Sequence, residues 1–372
     1  MAQPPLEAPS DPLATPAARR DALRSQLGSV GATAMLITGL PNMRYLSGFS
    51  GSSGALIVTA QGRDSLVTDF RYAGQVREEI DPSIGTEIHN ESALSAARKW
   101  LTRENHAKVV FESRYMSVAE WTDWKASDGA QLEAVTGWVA ALRMRKSEPE
   151  LMALRRAAAV ADETLAEVLG MIRPGITELE LAAKLDMAMI ERGGEGSAFE
   201  TIVQFGEHSA RPHARPTHRK LARGEVVLFD FGAIVGGYAS DMSRTVACGR
   251  PDHELESIYG IVLEAQRTAL DGLRPGMSGR DADALGRDVI EAAGYGPQFG
   301  HSLGHGIGLE VHEPPGMSRL SEWHLETDTV VTVEPGIYIE GLGGVRIEDV
   351  VRIGCSAIEV LTSAPKDEFI VL

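Results

Sequence analysis

The segment MIRPGITELELAAKLDMAMIERGG, beginning at Met171, returns about a hundred residues later as GLRPGMSGRDADALGRDVIEAAGYG, beginning at Gly272. Each copy reads as the end of one helix, an Arg-Pro-Gly turn, a Thr or Ser at the N-cap of the next helix with an acid three positions on, and a closing glycine. After each copy comes a histidine-containing stretch, then an apolar strand that ends in a carboxylate: GEVVLFDFG carries Asp230, and DTVVTVEPG carries Glu334. A chain with such an internal duplication is expected to fold as two matching helix-helix-hairpin halves. A site at their interface would draw ligands from both halves.

The candidate ligands lie between Glu225 and Asp349. Val226 to Phe229 is apolar and β-branched enough for a buried strand, Gly236-Gly237 is a hairpin turn, and Tyr238 to Thr245 can return beside it. Asp230 and Asp241 are 11 residues apart. An odd separation across an even-numbered turn puts both carboxylates on one face, opposite or one diagonal away, where they repel unless a cation lies between them. Taken singly, Asp230 reads more readily as a strand-end residue before Gly232 and Asp241 as a surface charge, since lone aspartates near glycines are usually turn residues. Glu334 and Glu348 are 14 apart. They share a face only if there is a bulge at Pro335-Gly336 or an odd-numbered loop around Gly341 to Gly344. His305 lies among Gly300, Gly304, Gly306 and Gly308, a run suited to close backbone approach.

The order Asp230, Asp241, His305, Glu334, Glu348, with separations of 11, 64, 29 and 14, resembles the metal centre of the pita-bread metallopeptidases. That family includes methionine aminopeptidase, aminopeptidase P and prolidase. The flanking text GEHSARPH, VHE, EPGIY and RIED matches as well, and the resemblance covers the chain from about residue 20 onward. It implies an α+β pita-bread catalytic domain of two pseudo-symmetric halves, preceded by a smaller α/β creatinase-like N-terminal domain. NMRYLSGFSGSSGALIV and TDFRYAGQ carry the likeness to that first domain. In the family it helps to close the substrate cleft and to form a homodimer.

The ligand types bear on the chemistry. Four carboxylates and one neutral imidazole form a hard, oxygen-rich set that favours Mn(II), with Co(II) or Fe(II) as alternatives, over a thiolate-selecting site. Four negative charges balance two divalent ions and leave a metal-bridging hydroxide as the added nucleophile for amide hydrolysis. On this reading Asp230 chelates one ion, Asp241 and Glu348 bridge both, and His305 and Glu334 complete the second. Glu334 relays the proton from water to the leaving nitrogen, His312 donates to the oxyanion, and Arg346 orients Glu348. By resemblance His213 holds the substrate near the scissile bond, while His208 and His218 are equally readable as structural. No organic cofactor is expected.

The resemblance points to cleavage before proline in proline-containing peptides. Prolidases hold the free carboxylate of a dipeptide with a base shortly after the catalytic His-Glu. Here the text runs HEPPGMSR, with Gly316 at that place and Arg319 three residues on. The expectation is therefore aminopeptidase P-like activity on longer peptides. The alternatives are a prolidase and, more remotely, an ectoine-type amide hydrolase or a non-catalytic binding protein on the same fold.

Composition adds exclusions. A net charge of −16 argues against nucleic acid or an anionic membrane as partner. Two cysteines, Cys248 and Cys355, fit free thiols in a reducing, cytoplasmic setting. Residues 1–18, rich in Pro and Ala, read as a disordered tail. The first domain is expected over 19–145, with a helix from near Ala18, strands at 34–39, 53–60, 64–70 and 107–113, and a helix at 92–104. The catalytic domain is expected over 146–372. It would open at Ser147, Pro149 and Glu150, a capping box that starts a long helix running toward Gly170.

Overall fold

The structure, a computed structural model, describes residues 13–127 and 129–372. The chain divides into two compact units, one ending at Arg143 and one spanning Met144–Leu372. The expected tail lies largely outside the described residues, but its last part is helical. Thr15 caps a helix that begins at Pro16, where the fixed φ of proline suits a first helical position.

The first unit alternates helices and strands: α1 (Pro16–Val30), β1 (Ala34–Ile37), α2 (Leu40–Ser47), β2 (Ala55–Thr59), β3 (Ser65–Asp69), α3 (Ala73–Glu79), β4 (Gly85–His89), α4 (Ala93–Arg103), β5 (Lys108–Glu112), α5 (Val118–Lys125), β6 (Gln131–Val135) and α6 (Trp138–Met144). The strands form one mixed sheet in the order β4-β3-β2-β1-β5-β6. The four central strands are the four expected from the sequence. Their runs of Ala, Val, Leu and Ile are buried, which makes a strand legible. The two further strands, GTEIH and QLEAV, lie at the sheet's edges and are only partly buried, so their sequences lack the apolar run.

The second unit contains the duplication. Its first half is α7 (Glu148–Leu169), α8 (Glu178–Glu191), β7 (Ile202–Phe205), β8 (Glu225–Phe231), β9 (Ile234–Val235), β10 (Tyr238–Ala239) and β11 (Met242–Cys248). Its second half is α9 (His253–Gly272), α10 (Gly279–Ala292), β12 (Gly304–Gly306), β13 (Glu313–Met317), β14 (Val330–Val333), β15 (Gly336–Ile339), β16 (Gly343–Arg346), β17 (Asp349–Ile353) and β18 (Ile358–Val360). In the first half β8 runs between β7 and β11, all antiparallel. In the second the order is β13-β12-β14-β17-β18.

Each half has its own core. Leu165, Leu181, Leu185, Val203 and Phe229 belong to one cluster, and Val262, Ile290, Val331 and Val351 to the other. The halves also match bond by bond at the Arg-Pro-Gly turns. Gly175 N donates to Leu221 O and Leu221 N returns to Ile176 O; Gly276 N donates to Leu325 O and Leu325 N returns to Met277 O. Thr177 and Ser278 cap the two 14-residue helices, accepting from the backbone N of Glu180 and Asp281. Ser147 opens α7, with its N and Oγ both donating to Glu150 Oε2 at 2.9 and 2.6 Å. Among the described residues no helix is long and apolar enough to cross a membrane.

Candidate metal centre

Asp230 stands near the end of β8, where Val226 to Phe231 are all buried. The ladder pairs Asp230 with Ser243, not with Asp241. Between Tyr238-Ala239 and Met242 the returning strand is interrupted at Ser240 and Asp241, although the register is the same on both sides and Ser240 N still donates to Ala233 O at 2.8 Å. The backbones approach closely there: a Cβ on Gly232 would fall on the carbonyl oxygen of Ser240. With Ser243 opposite Asp230, Asp241 lies one diagonal from Asp230 and is 5% exposed.

The second hairpin shows the odd-numbered loop. Val333 pairs with Asp349 and Gly336 with Arg346, so one register continues through the hairpin and sets Glu334 opposite Glu348. The ladder lapses at these two residues, between β14–β17 and β15–β16. The loop that joins the strands is Glu340 to Leu342.

His305 is the middle residue of β12. Side chains at its neighbours would collide with the backbone, Gly304 with Thr332 O and Gly306 with Pro314 O, so the strand is pressed between β13 and β14. Its Nδ1 lies 3.1 Å from Gly306 O. A carbonyl only accepts, so Nδ1 carries the proton and Nε2 presents its lone pair. That Nε2 is 3.7 Å from Asp241 Oδ2 and 3.5 Å from Glu334 Oε1. Ligand atoms of Asp241, His305 and Glu348 all fall within 4.8 Å of one another.

Asp230 joins the group through Arg346. This arginine is 2% exposed; its Nη2 donates to Asp230 Oδ2 at 2.5 Å, its Nη1 to Tyr338 Oη at 2.8 Å and its Nε to Ser243 Oγ at 2.6 Å. Ser243 Oγ donates onward to Glu348 Oε2 at 2.7 Å. Arg346 thus reaches Glu348 through a serine, and the carboxylate it touches directly is Asp230.

The electrostatics follow from many acids sharing one cation in a dry place. Burial raises all four carboxylates. Asp241 rises well above its usual range because Glu348, Asp230 and Glu334 add like charge to the burial. Glu334 rises similarly, and Glu348 is pushed up to about 7 by burial and Asp230. His305 is pushed down to about 4 by burial and by His312, so its imidazole is neutral at physiological pH.

These residues form the floor of a cavity of about 530 Å³. His213, His301 and His312 also line it, with apolar wall from Phe199, Ile202, Pro212 and Val311. The His312 ring lies 4.3 Å from that of His305. His301, Tyr338 and Ser243 carry bonds that sequence reasoning did not assign. His301 Nε2 is 3.0 Å from Tyr338 Oη, and its Nδ1 is 2.8 Å from Ser302 O and 3.9 Å from Glu334 Oε2. Burial and Arg346 hold its pKa near 4. The signal for two of them was present, since His301 and Tyr338 sit in stretches that also supply His305 and Glu334. His208 Nδ1 lies 3.1 Å from buried Glu178, a loop anchor, and His218 is exposed. Arg319 is exposed and pairs with Glu291, and neither it nor Gly316 lines the cavity.

The donor set fits divalent cations. Four buried carboxylates against one guanidinium leave an excess of negative charge that the fold otherwise relieves by holding protons, and the imidazole lone pair points into it.

A pita-bread fold whose two halves converge on such a cluster, beneath a peptide-sized cavity, defines a metal-dependent hydrolase. The sequence model of Metallopeptidase family M24 matches residues 152–354, and that of the Creatinase/Prolidase N-terminal domain matches residues 19–145. An uncharacterized peptidase of Bacillus subtilis is 40% identical over 93% of this chain and 98% of its own. Among solved structures, a Xaa-Pro dipeptidase from Bacillus anthracis superposes with a TM-score of 0.92 at 38% identity, over 96% of this chain and 100% of that one. An X-Pro aminopeptidase from Thermotoga maritima does so with a TM-score of 0.87 at 34% identity, over 95% and 99%. The chain belongs to metallopeptidase family M24.

Proposed function

We propose that the protein hydrolyses the Xaa-Pro bond at the amino terminus of peptides longer than two residues, an aminopeptidase P-like activity. Asp230, Asp241, His305, Glu334 and Glu348 would hold two divalent ions, Mn(II) before Co(II) or Fe(II). The observation that carries this reading is the convergence of Asp241, His305 and Glu348 within 4.8 Å on a cavity floor, with Glu334 beside His305. When bound, the ions supply Lewis acidity to the scissile carbonyl and lower the pKa of the attacking water.

The chain's own groups do the rest. Glu334 takes the water's proton and delivers it to the departing proline nitrogen. His312, on the cavity wall, donates to the carbonyl oxygen as negative charge develops there. His213 holds the peptide on the same wall, and Phe199, Ile202, Pro212 and Val311 give the proline ring apolar surface. Arg346 and Ser243 keep Asp230 and Glu348 aimed inward. A homodimer in the cytoplasm belongs to the same reading, by resemblance and composition.

The length preference is supported by what surrounds a free carboxylate. Arg319 is committed to Glu291 outside the cavity, and Gly316 supplies no charge. The dipeptidase reading is kept because the Bacillus anthracis structure at 38% identity is a Xaa-Pro dipeptidase. The test is hydrolysis of Ala-Pro-Ala, Ala-Pro and Ala-Ala-Ala by Mn(II)-loaded protein. Faster release of alanine from Ala-Pro-Ala is expected. Cleavage of Ala-Pro alone makes it a dipeptidase, and cleavage of none overturns the prolyl reading.

A further inference from the structure

Two arginines line the cavity, Arg346 and Arg215. All three guanidinium nitrogens of Arg346 are bonded, to Asp230, Tyr338 and Ser243. Arg215 is different: its side chain is 81% exposed, and its Nε lies 2.9 Å from Oε2 of Glu200, which also lines the cavity. Among the described residues that line the cavity the other basic groups are histidines, so Arg215 is the one permanent cation among them that no metal-site carboxylate claims.

Arg215 sits on a loop fixed on both sides. Gln204 Nε2 donates to Arg211 O at 2.6 Å and to Ala214 O at 3.0 Å. Thr217 Oγ1 donates to buried Glu178 Oε2 at 2.6 Å. Pro212 and Pro216 further restrict the loop. The guanidinium is therefore held at the cavity wall by its backbone, and Glu200 holds it there by charge.

The group that follows the proline of a substrate distinguishes a dipeptide from a longer chain. In a dipeptide it is a carboxylate, which needs a cation in a cavity already crowded with acids. In a longer peptide it is a neutral amide. Resting on the Xaa-Pro reading above, we infer that Glu200 and Arg215 form the element that sets substrate length. Glu200 neutralises the Arg215 cation that a dipeptide's carboxylate could use, so the cavity favours an amide after proline. The substrate class is then peptides and amides continuing beyond proline, and Arg215 is a carboxylate receptor kept masked.

The experiment compares Ala-Pro with Ala-Pro-amide, which differ only in that charge, in wild-type protein, E200Q and E200Q/R215Q, each loaded with Mn(II). Alongside it, calorimetry measures binding of proline and of prolinamide, which involves no turnover. Both side chains are exposed, at 59% and 81%, so the variants disturb no core. E200Q is expected to raise the ratio of kcat/KM for Ala-Pro over Ala-Pro-amide by about two- to five-fold, the range of an exposed ion pair. The proline-to-prolinamide affinity ratio should move the same way, and R215Q in the E200Q background should cancel both gains. An unchanged ratio in E200Q, or a gain that survives loss of Arg215, overturns the masking role while leaving prolyl cleavage intact. If neither substrate is cut but proline binding still shifts as described, the pair stands and the hydrolytic reading fails.

Discussion

Ser243 has one hydroxyl and spends it twice, accepting from Arg346 Nε and donating to Glu348 Oε2. Replacing it by Ala leaves a buried carboxylate without that donor and a guanidinium with a free N–H. Ser243→Ala is expected to weaken divalent-metal affinity about ten- to hundred-fold, as loss of a group that orients a ligand does. Titration of metal-stripped protein with Mn(II) measures it, and unchanged affinity would mean that Glu348 is held by other means. The same residue marks where sequence reading stopped. A carboxylate ending an apolar strand is costly to bury, so Asp230 and Glu334 stand out in a sequence. A serine in a strand does not, because neutral hydroxyls are common there, and Ser243 acquires its role only from facing Asp230 across the ladder. Tyr338 and His301 stand in stretches that the ligand motifs mark, but their partners do not show there, since they act through hydrogen bonds to residues 8 and 37 positions away.

At the level of elements, the site depends on two interruptions of otherwise regular hairpins. In the first, Gly232 lets the Ser240 carbonyl close in where Ser240 and Asp241 fall between two strands. Gly232→Ala should force that carbonyl and the following peptide away, costing about 1 to 3 kcal/mol from overpacking and moving Asp241 off the cluster. Both a lowered melting temperature and weakened Mn(II) binding are expected. Gly316 is the comparison: a Cβ there meets nothing within 4 Å, so Gly316→Ala should change neither. A tolerated Gly232→Ala would show that the close approach there does not hold Asp241 in place. Parity of residue number predicted that each acidic pair could share a face, and it left open where the odd residue lies. The structure puts it in the loop Glu340 to Leu342, a choice that local sequence does not dictate because glycines stand at both places. The helices were more legible than the edge strands, since caps and Arg-Pro-Gly turns are local signals, whereas β4 and β6 exist because a neighbouring strand offers them partners.

On the scale of the whole second unit, the centre joins the two halves of the duplication, with Asp230 and Asp241 from one and His305, Glu334 and Glu348 from the other. Repulsion among the acids therefore acts on global stability, and pH sets its size. The unfolded chain releases the Glu348 proton near 4.5, while the fold keeps it to about 7. Between those values the folded state binds more protons, so stability falls as pH rises, by on the order of 3 kcal/mol in full. Asp241 and Glu334, also raised, act in the same direction. His301 and His305 act oppositely, because their folded values near 4 lie below the ordinary 6.5, so they add stability as pH climbs to 6.5 and nothing above it. Above pH 6.5 the carboxylate trend stands alone. Metal-stripped protein is thus expected to melt at progressively lower temperature from about pH 6.5 to about pH 8 in scanning calorimetry. Mn(II) binds the ionised acids and should remove this decline, so the gap between loaded and stripped protein widens with pH. A stripped protein that melts higher at pH 8 than at pH 6.5 would mean that the fold already carries these carboxylates ionised, with another source of positive charge holding the halves together.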